Sequence, residues 1–189
     1  MTLHKYDWST IPEDLWSLFS YDLDFFTKIN FMKQAIEEGK KSFKPYEDGA
    51  QCGAIIVKDG EIIGKGHRTV NLHKKEKTQI THAEQAAIYS ANNNVKGADL
   101  YVTLEPCFER GNQNWTEIYP PCSTIIPASG IERVIIGLTD KDPRTNGKGI
   151  KKLAESGIKV EFAYQGIEKE LFNLIQNGKF YTLRNYFLD

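Results

Sequence analysis

The chain has little cysteine, almost no methionine and no long apolar run. Its three cysteines are Cys52, Cys107 and Cys122. An odd count argues against a disulfide framework. The opening Met1-Thr2-Leu3-His4-Lys5-Tyr6-Asp7 has no apolar signal core behind it, so a cytoplasmic location is expected. No stretch approaches the roughly 20 apolar residues that span a bilayer as a helix. Charge of one sign is not in excess either. Lys and Arg number 24 against 25 Asp and Glu, which leaves a net charge of −1 and no global pull toward nucleic acid. Internal repeats and low-complexity tracts are missing, which excludes solenoid architectures. What is present is ordinary for a globular chain of 189 residues: 40% hydrophobic and 26% charged, enough for one domain with appendages.

The pattern along the chain divides it in two. Residues 1–20 form an aromatic-rich extension, in which Thr10-Ile11-Pro12-Glu13 reads as a capping box opening a short helix through Phe19. Residues 21–189 read as the functional domain. Residues 21–42 predict a helix with Phe25, Ile29, Met32, Ala35 and Ile36 on one face. Cys52-Gly53-Ala54-Ile55-Ile56-Val57 and Glu61-Ile62-Ile63-Gly64-Lys65-Gly66 predict two strands joined by a Lys58-Asp59-Gly60 turn. A polar loop is expected from Thr69 to Thr78, then a helix over about 81–92. Strands follow at 100–104, 133–138 and 158–162, with helices at 123–129, 147–156 and 168–176. Five strands in this alternation give an α/β fold, a mixed sheet with helices on both faces.

Three short motifs carry chemistry. Thr81-His82-Ala83-Glu84 opens a helix, and Pro106-Cys107 and Pro121-Cys122 come later. His82 and Glu84 lie on one turn and aim at one cavity. Helix N-termini favour thiolates and carboxylates. One imidazole and two thiolates make a three-ligand set for zinc, leaving a fourth position for water. A closed structural site would need a fourth side chain; Cys52 is available, but its place in an apolar strand reads as core packing. The order His-x-Glu, Pro-Cys, Pro-Cys resembles the signature of zinc-dependent deaminases. That resemblance implies that His82, Cys107 and Cys122 hold Zn2+ and that Glu84 carries protons without binding metal. A buried carboxyl in that role should sit above its ordinary pKa.

The wider chain resembles the cytidine deaminase superfamily, which implies a three-layer α/β/α fold. Tyr101-Val102-Thr103-Leu104-Glu105-Pro106-Cys107 is similar to the strand-and-ligand segment of its nucleotide-modifying branch. Over about residues 31–180 it is most similar to the deaminase domain of bifunctional riboflavin-biosynthesis deaminase/reductases. Pro120-Pro121-Cys122 repeats that group's second ligand. Asp140, Pro143, Gly147 and Gly149 repeat its loop after the fourth strand. The departures are specific. The loop from Phe108 to Tyr119 is longer and lacks the group's His-Gly-Arg-Thr. Gly49 stands where that group has a substrate-binding Asn, and the group's reductase domain is expected to be absent. Gly66-His67-Arg68-Thr69 resembles the Gly-His-Asn segment of guanine, cytosine and transfer-RNA adenosine deaminases, with Arg68 in place of their base-reading Asn. His82-Ala83-Glu84-Gln85-Ala86-Ala87-Ile88 also resembles deoxycytidylate deaminases.

Candidate substrate contacts follow from position. His67 and Arg68 end the second strand, and Arg68 offers a guanidinium to a phosphate or carbonyl, or to a surface salt bridge. Lys75, within His73-Lys74-Lys75-Glu76-Lys77, and Lys148, in the later Gly-rich loop, are phosphate candidates or solvated charges. Trp115 lies close in sequence to the second cysteine and suits stacking on a heterocycle, or packing. The expected activity is hydrolytic deamination of a small base, nucleoside or nucleotide, with a riboflavin-pathway-like pyrimidine favoured. A nucleic-acid base editor of the transfer-RNA adenosine type, a free-base deaminase and a binding protein without turnover are the alternatives. The near-neutral charge opposes the first of these and Glu84 the last. The resemblance also implies a homodimer or higher homo-oligomer.

Overall fold

The computed structural model describes residues 23–42, 50–72, 78–109, 120–163 and 165–176. The expected helix through Phe19, most of the inter-cysteine loop with Trp115, the segment with Lys75 and residues 177–189 lie outside them. Helix α1 (Leu23–Gly39) precedes a hairpin of β1 (Gly53–Lys58) and β2 (Glu61–His67). A second hairpin, β3 (Thr69–Leu72) and β4 (Thr78–Thr81), leads into α2 (Ala83–Ser90). Then come β5 (Asp99–Leu104), α3 (Cys122–Ser129), β6 (Arg133–Leu138), α4 (Lys148–Glu155), β7 (Lys159–Phe162) and α5 (Glu168–Gln176).

Five strands form one sheet in the order β2-β1-β5-β6-β7. β1 runs antiparallel to β2 and β5, whereas β5, β6 and β7 are parallel. The sheet is mixed because the hairpin starts it and helical crossovers between parallel strands extend it. Asp59 and Gly60 both adopt positive φ, 53° and 80°, as the expected two-residue turn demands. Side chains alternate between two covered faces. Ala54, Ile56, Leu100, Val102, Val134 and Ile136 pack with Ala87, Ile126 and Leu153 from α2, α3 and α4. Ile55, Val57, Tyr101 and Ile135 face the other way, against Ile29 and Met32 of α1 and Leu171 of α5. Burial on both faces explains why these strands read as continuous apolar runs.

Two expectations need correction. The loop expected between Thr69 and Thr78 is in part a two-stranded sheet, pairing Val70 with Ile80 and Asn71 with Gln79. Its strands are four residues long and half polar, but rich in β-branched Thr, Val and Ile, which favour extended backbone. On α1, Ile29, Met32, Ala35 and Ile36 are buried as expected, whereas Phe25 is 38% exposed beside Phe26, near the helix start.

Candidate active site

The site forms where two helix N-termini meet the carboxyl ends of parallel strands, the usual crevice of an open α/β sheet. His82 is the N-cap of α2 and Cys122 is the first residue of α3. β5 ends at Leu104 and runs directly into Glu105-Pro106-Cys107. Gly66 lets α2 come down on β2. A Cβ there would lie 2.3 Å from both the Ala83 carbonyl oxygen and the Ala87 nitrogen. The His82 N–H donates to Gln85 Oε1 at 3.3 Å, which fixes the first turn of α2.

His82 Nδ1 lies 3.5 Å from Cys107 Sγ and 3.5 Å from Cys122 Sγ. All three atoms fall within 4.8 Å of one another. With Zn–N and Zn–S bonds of tetrahedral sites, the N···S edge should be about 3.6 Å. The donor set therefore fits zinc in both chemistry and spacing. The Cys122 thiol and the His82 ring pull the Cys107 thiol down to about 4, against its burial, which favours the thiolate that a metal needs. The Cys122 N–H also donates to Cys107 Sγ at 3.3 Å, and the Ser123 N–H to the Cys107 carbonyl at 3.1 Å.

A cavity of about 210 Å3 adjoins this cluster. Its polar lining is His82, Glu84, Cys107, Arg68, Asp140 and Glu105, and Val102, Leu104 and Ala83 supply apolar wall. Glu84 is 5% exposed. Burial pushes its carboxyl above the ordinary range; the His82 ring opposes this and the Cys107 sulfur adds to it. Cys52 also lines the cavity while packing against the buried cluster of the α2 face, and burial followed by the Glu84 charge pushes its thiol well up. It is not one of the three clustered donors.

The other sequence-named residues separate. Arg68 lines the cavity. His67 does not; its Nδ1 pairs with Glu38 Oε1 at 2.8 Å, and Glu38 also holds Lys41 at 2.7 Å. Lys148 is exposed at the start of α4 and is not among the lining residues. Trp115 and Lys75 lie outside the described residues. Sequence reasoning gave no role to Glu105 or Asp140. A charged residue wedged between an apolar strand and a Pro-Cys ligand was the available signal for Glu105, since burial there demands partners.

The model of the cytidine and deoxycytidylate deaminase zinc-binding region matches residues 27–138. The riboflavin biosynthesis protein RibD of Aquifex aeolicus is 39% identical over 132 residues, which are 70% of this chain and 33% of that protein. The chain thus spans about a third of the length of the curated relatives it matches. The solved Thermotoga maritima diaminohydroxyphosphoribosylaminopyrimidine deaminase/5-amino-6-(5-phosphoribosylamino)uracil reductase is 35% identical. It superposes with a TM-score of 0.66, covering 81% of this chain and 40% of that one. A cyanophage S-TIM5 dCMP deaminase, at 24% identity and a TM-score of 0.52 over 71% of this chain and 95% of that chain, shares the fold.

Proposed function

The chain belongs to the cytidine and deoxycytidylate deaminase zinc-binding family, and from that membership we propose that it is a hydrolytic deaminase of a small phosphoribosylated aminopyrimidine. The observation that supports this most is one cavity bordered by a His/Cys/Cys donor cluster and by a buried carboxyl that is not part of it. In this reading His82, Cys107 and Cys122 hold Zn2+. When bound, zinc lowers the pKa of a coordinated water to about 7.

Glu84 moves the protons. It accepts one from the attacking water and gives it to the ring nitrogen beside the amine-bearing carbon. The oxygen adds to that carbon across the C=N bond. Glu84 then takes the proton of the added hydroxyl and passes it to the amine nitrogen as the carbon–amine bond breaks, so that ammonia leaves and a carbonyl remains. A carboxyl raised by burial is suited to both directions of transfer near neutral pH. The apolar wall of Val102 and Leu104 limits water around the ring.

Size and charge support the substrate class. Sites that enclose drug-sized ligands run from roughly 300 to 1,000 Å3, so about 210 Å3 suits a single ring with sugar and phosphate outside. Arg68 offers donors to a ring carbonyl or phosphate, and Asp140 an acceptor for ring N–H groups. The Thermotoga relative is named for a pyrimidine of this kind. A cytoplasmic location and a homo-oligomeric state belong to the same proposal; no described helix is long and apolar enough to cross a membrane.

Ammonia release by the zinc-loaded protein tests this reading over a panel of cytosine, guanine, cytidine, dCMP, a transfer-RNA anticodon stem-loop and the phosphoribosylated diaminopyrimidine. Turnover is expected for the last. Silence on every member at one zinc per chain sinks the activity. Turnover of another member alone corrects the substrate.

A further inference from the structure

Glu105 is 3% exposed and has no part in the proton transfers above. Its carboxylate accepts four backbone N–H bonds, and every donor lies in one segment. Asp140 and Gly147 donate to Oε2, both at 3.1 Å. Gly149 and Ile150 donate to Oε1, at 3.1 and 3.3 Å. An ionised carboxylate only accepts and has about four lone-pair sites, so these donors use the full set. The segment is also pressed close. A Cβ on Gly149 would lie 2.0 Å from the Pro106 carbonyl oxygen and 3.1 Å from Glu105 Oε1. At one end of the segment stands Asp140, which lines the cavity with Arg68 and Glu84.

We propose that Glu105 is a positioning residue: its carboxylate fixes the segment 140–150 against the strand end that carries Cys107, and so sets where Asp140 meets the substrate ring. The ligand itself has independent support. Cys107 is held from α3 by the Cys122 and Ser123 amides. Loosening the segment therefore acts on ring binding and leaves the donor cluster in place. The kinetic consequence rests on the deaminase reading; the placement of the segment does not.

Glu105→Gln is the test. It keeps the side chain's size but sets an NH2 group against two N–H donors, an unsatisfied arrangement in a buried site. Amide hydrogen exchange over residues 139–151 of the zinc-loaded protein should accelerate by about tenfold or more, with the rest of the protein changed by less than about twofold. Zinc content should equal that of the wild type. KM should rise by about tenfold, with kcat within about threefold. Glu105→Asp keeps both acceptors on a shorter stem and should recover part of the protection and of KM. It carries the same readouts if the Gln variant does not fold. Unchanged exchange in the segment, or acceleration spread over the whole chain, overturns the proposal, as does a fall in kcat at constant KM. If the wild type deaminates nothing, the functional reading fails while the exchange result still decides the placement.

Discussion

Glu84 and His82 are two residues apart, yet one is 5% exposed with its carboxyl raised and the other presents Nδ1 to two sulfurs. Their proposed roles separate under substitution. Glu84→Gln should keep one zinc per chain and lose about 10²- to 10⁴-fold in kcat, the usual weight of a positioned acid–base group. Cys107→Ala and His82→Ala should lose the metal itself. Metal analysis beside ammonia release reads both, and retained turnover in Glu84→Gln removes the shuttle role. Arg68→Ala should raise KM by about tenfold with little change in kcat, the mark of a binding contact; an unchanged KM places Arg68 outside recognition. The sequence named these residues because the chemistry fixes residue type and local spacing together. It also proposed His67, which the fold pairs with Glu38, 29 positions away. Nothing local announces that partner, and the adjacent Arg68 lines the cavity instead. The acceptors of Glu105 were hidden for the same reason, since their donors come from main-chain amides 35 to 45 positions on.

At the scale of elements, the site depends on how closely α2 approaches β2. Gly66→Ala would drive a Cβ to within 2.3 Å of α2 backbone on two sides. Backbone cannot step aside as a flexible side chain does, so about 3 kcal/mol of stability should go, roughly 10 °C in Tm. Zinc affinity should fall too, because His82 caps the displaced helix. Gly157→Ala is the contrast. Its φ of +82° costs about 1 kcal/mol, but no atom lies within 4 Å, so zinc binding should hold. Thermal unfolding with and without added zinc separates the two; equal zinc affinity in both variants would show that α2 docking does not set the site. The elements themselves were largely legible. Near-continuous apolar runs gave β1, β5 and β6, and Asp-Gly gave the hairpin that joins β1 to β2. The pair β3–β4 was not, because four-residue, half-polar strands are too short for a period of two to distinguish a strand from a loop.

The molecule as a whole is nearly neutral, so its response to acid turns on local pairs rather than net charge. Remote from the donor cluster, the amino ends of the parallel strands carry a row of charge. Register places Asp99 opposite Arg133 and Arg133 opposite Lys159. Arg133 Nε donates to Asp99 Oδ1 at 2.9 Å. Glu161 of β7 joins α1 to this row, with Lys28 at 2.7 Å, Lys159 at 2.9 Å and Arg133 at 3.7 Å. Burial pushes the Glu161 carboxyl up, but hydrogen bonds from Lys28 and Lys159 outweigh it and hold the group at about 2, against an ordinary value near 4.5. The folded-state pKa is depressed, so the stability that Glu161 contributes is fully present above about pH 4.5 and is lost as pH falls toward 2. A shift of that size corresponds to about 3 kcal/mol, and solvent screening of a partly exposed group brings it nearer 1 to 2. Glu161→Gln removes the charge while keeping the shape. Denaturant unfolding at about pH 7 should place the variant roughly 1 to 2 kcal/mol below the wild type, and at about pH 3 the two should draw together. Any acid response elsewhere in the molecule is common to both proteins, so the difference between them isolates the ion cluster. A gap that stays constant or widens in acid would mean that Glu161 ties α1 to β7 by packing alone.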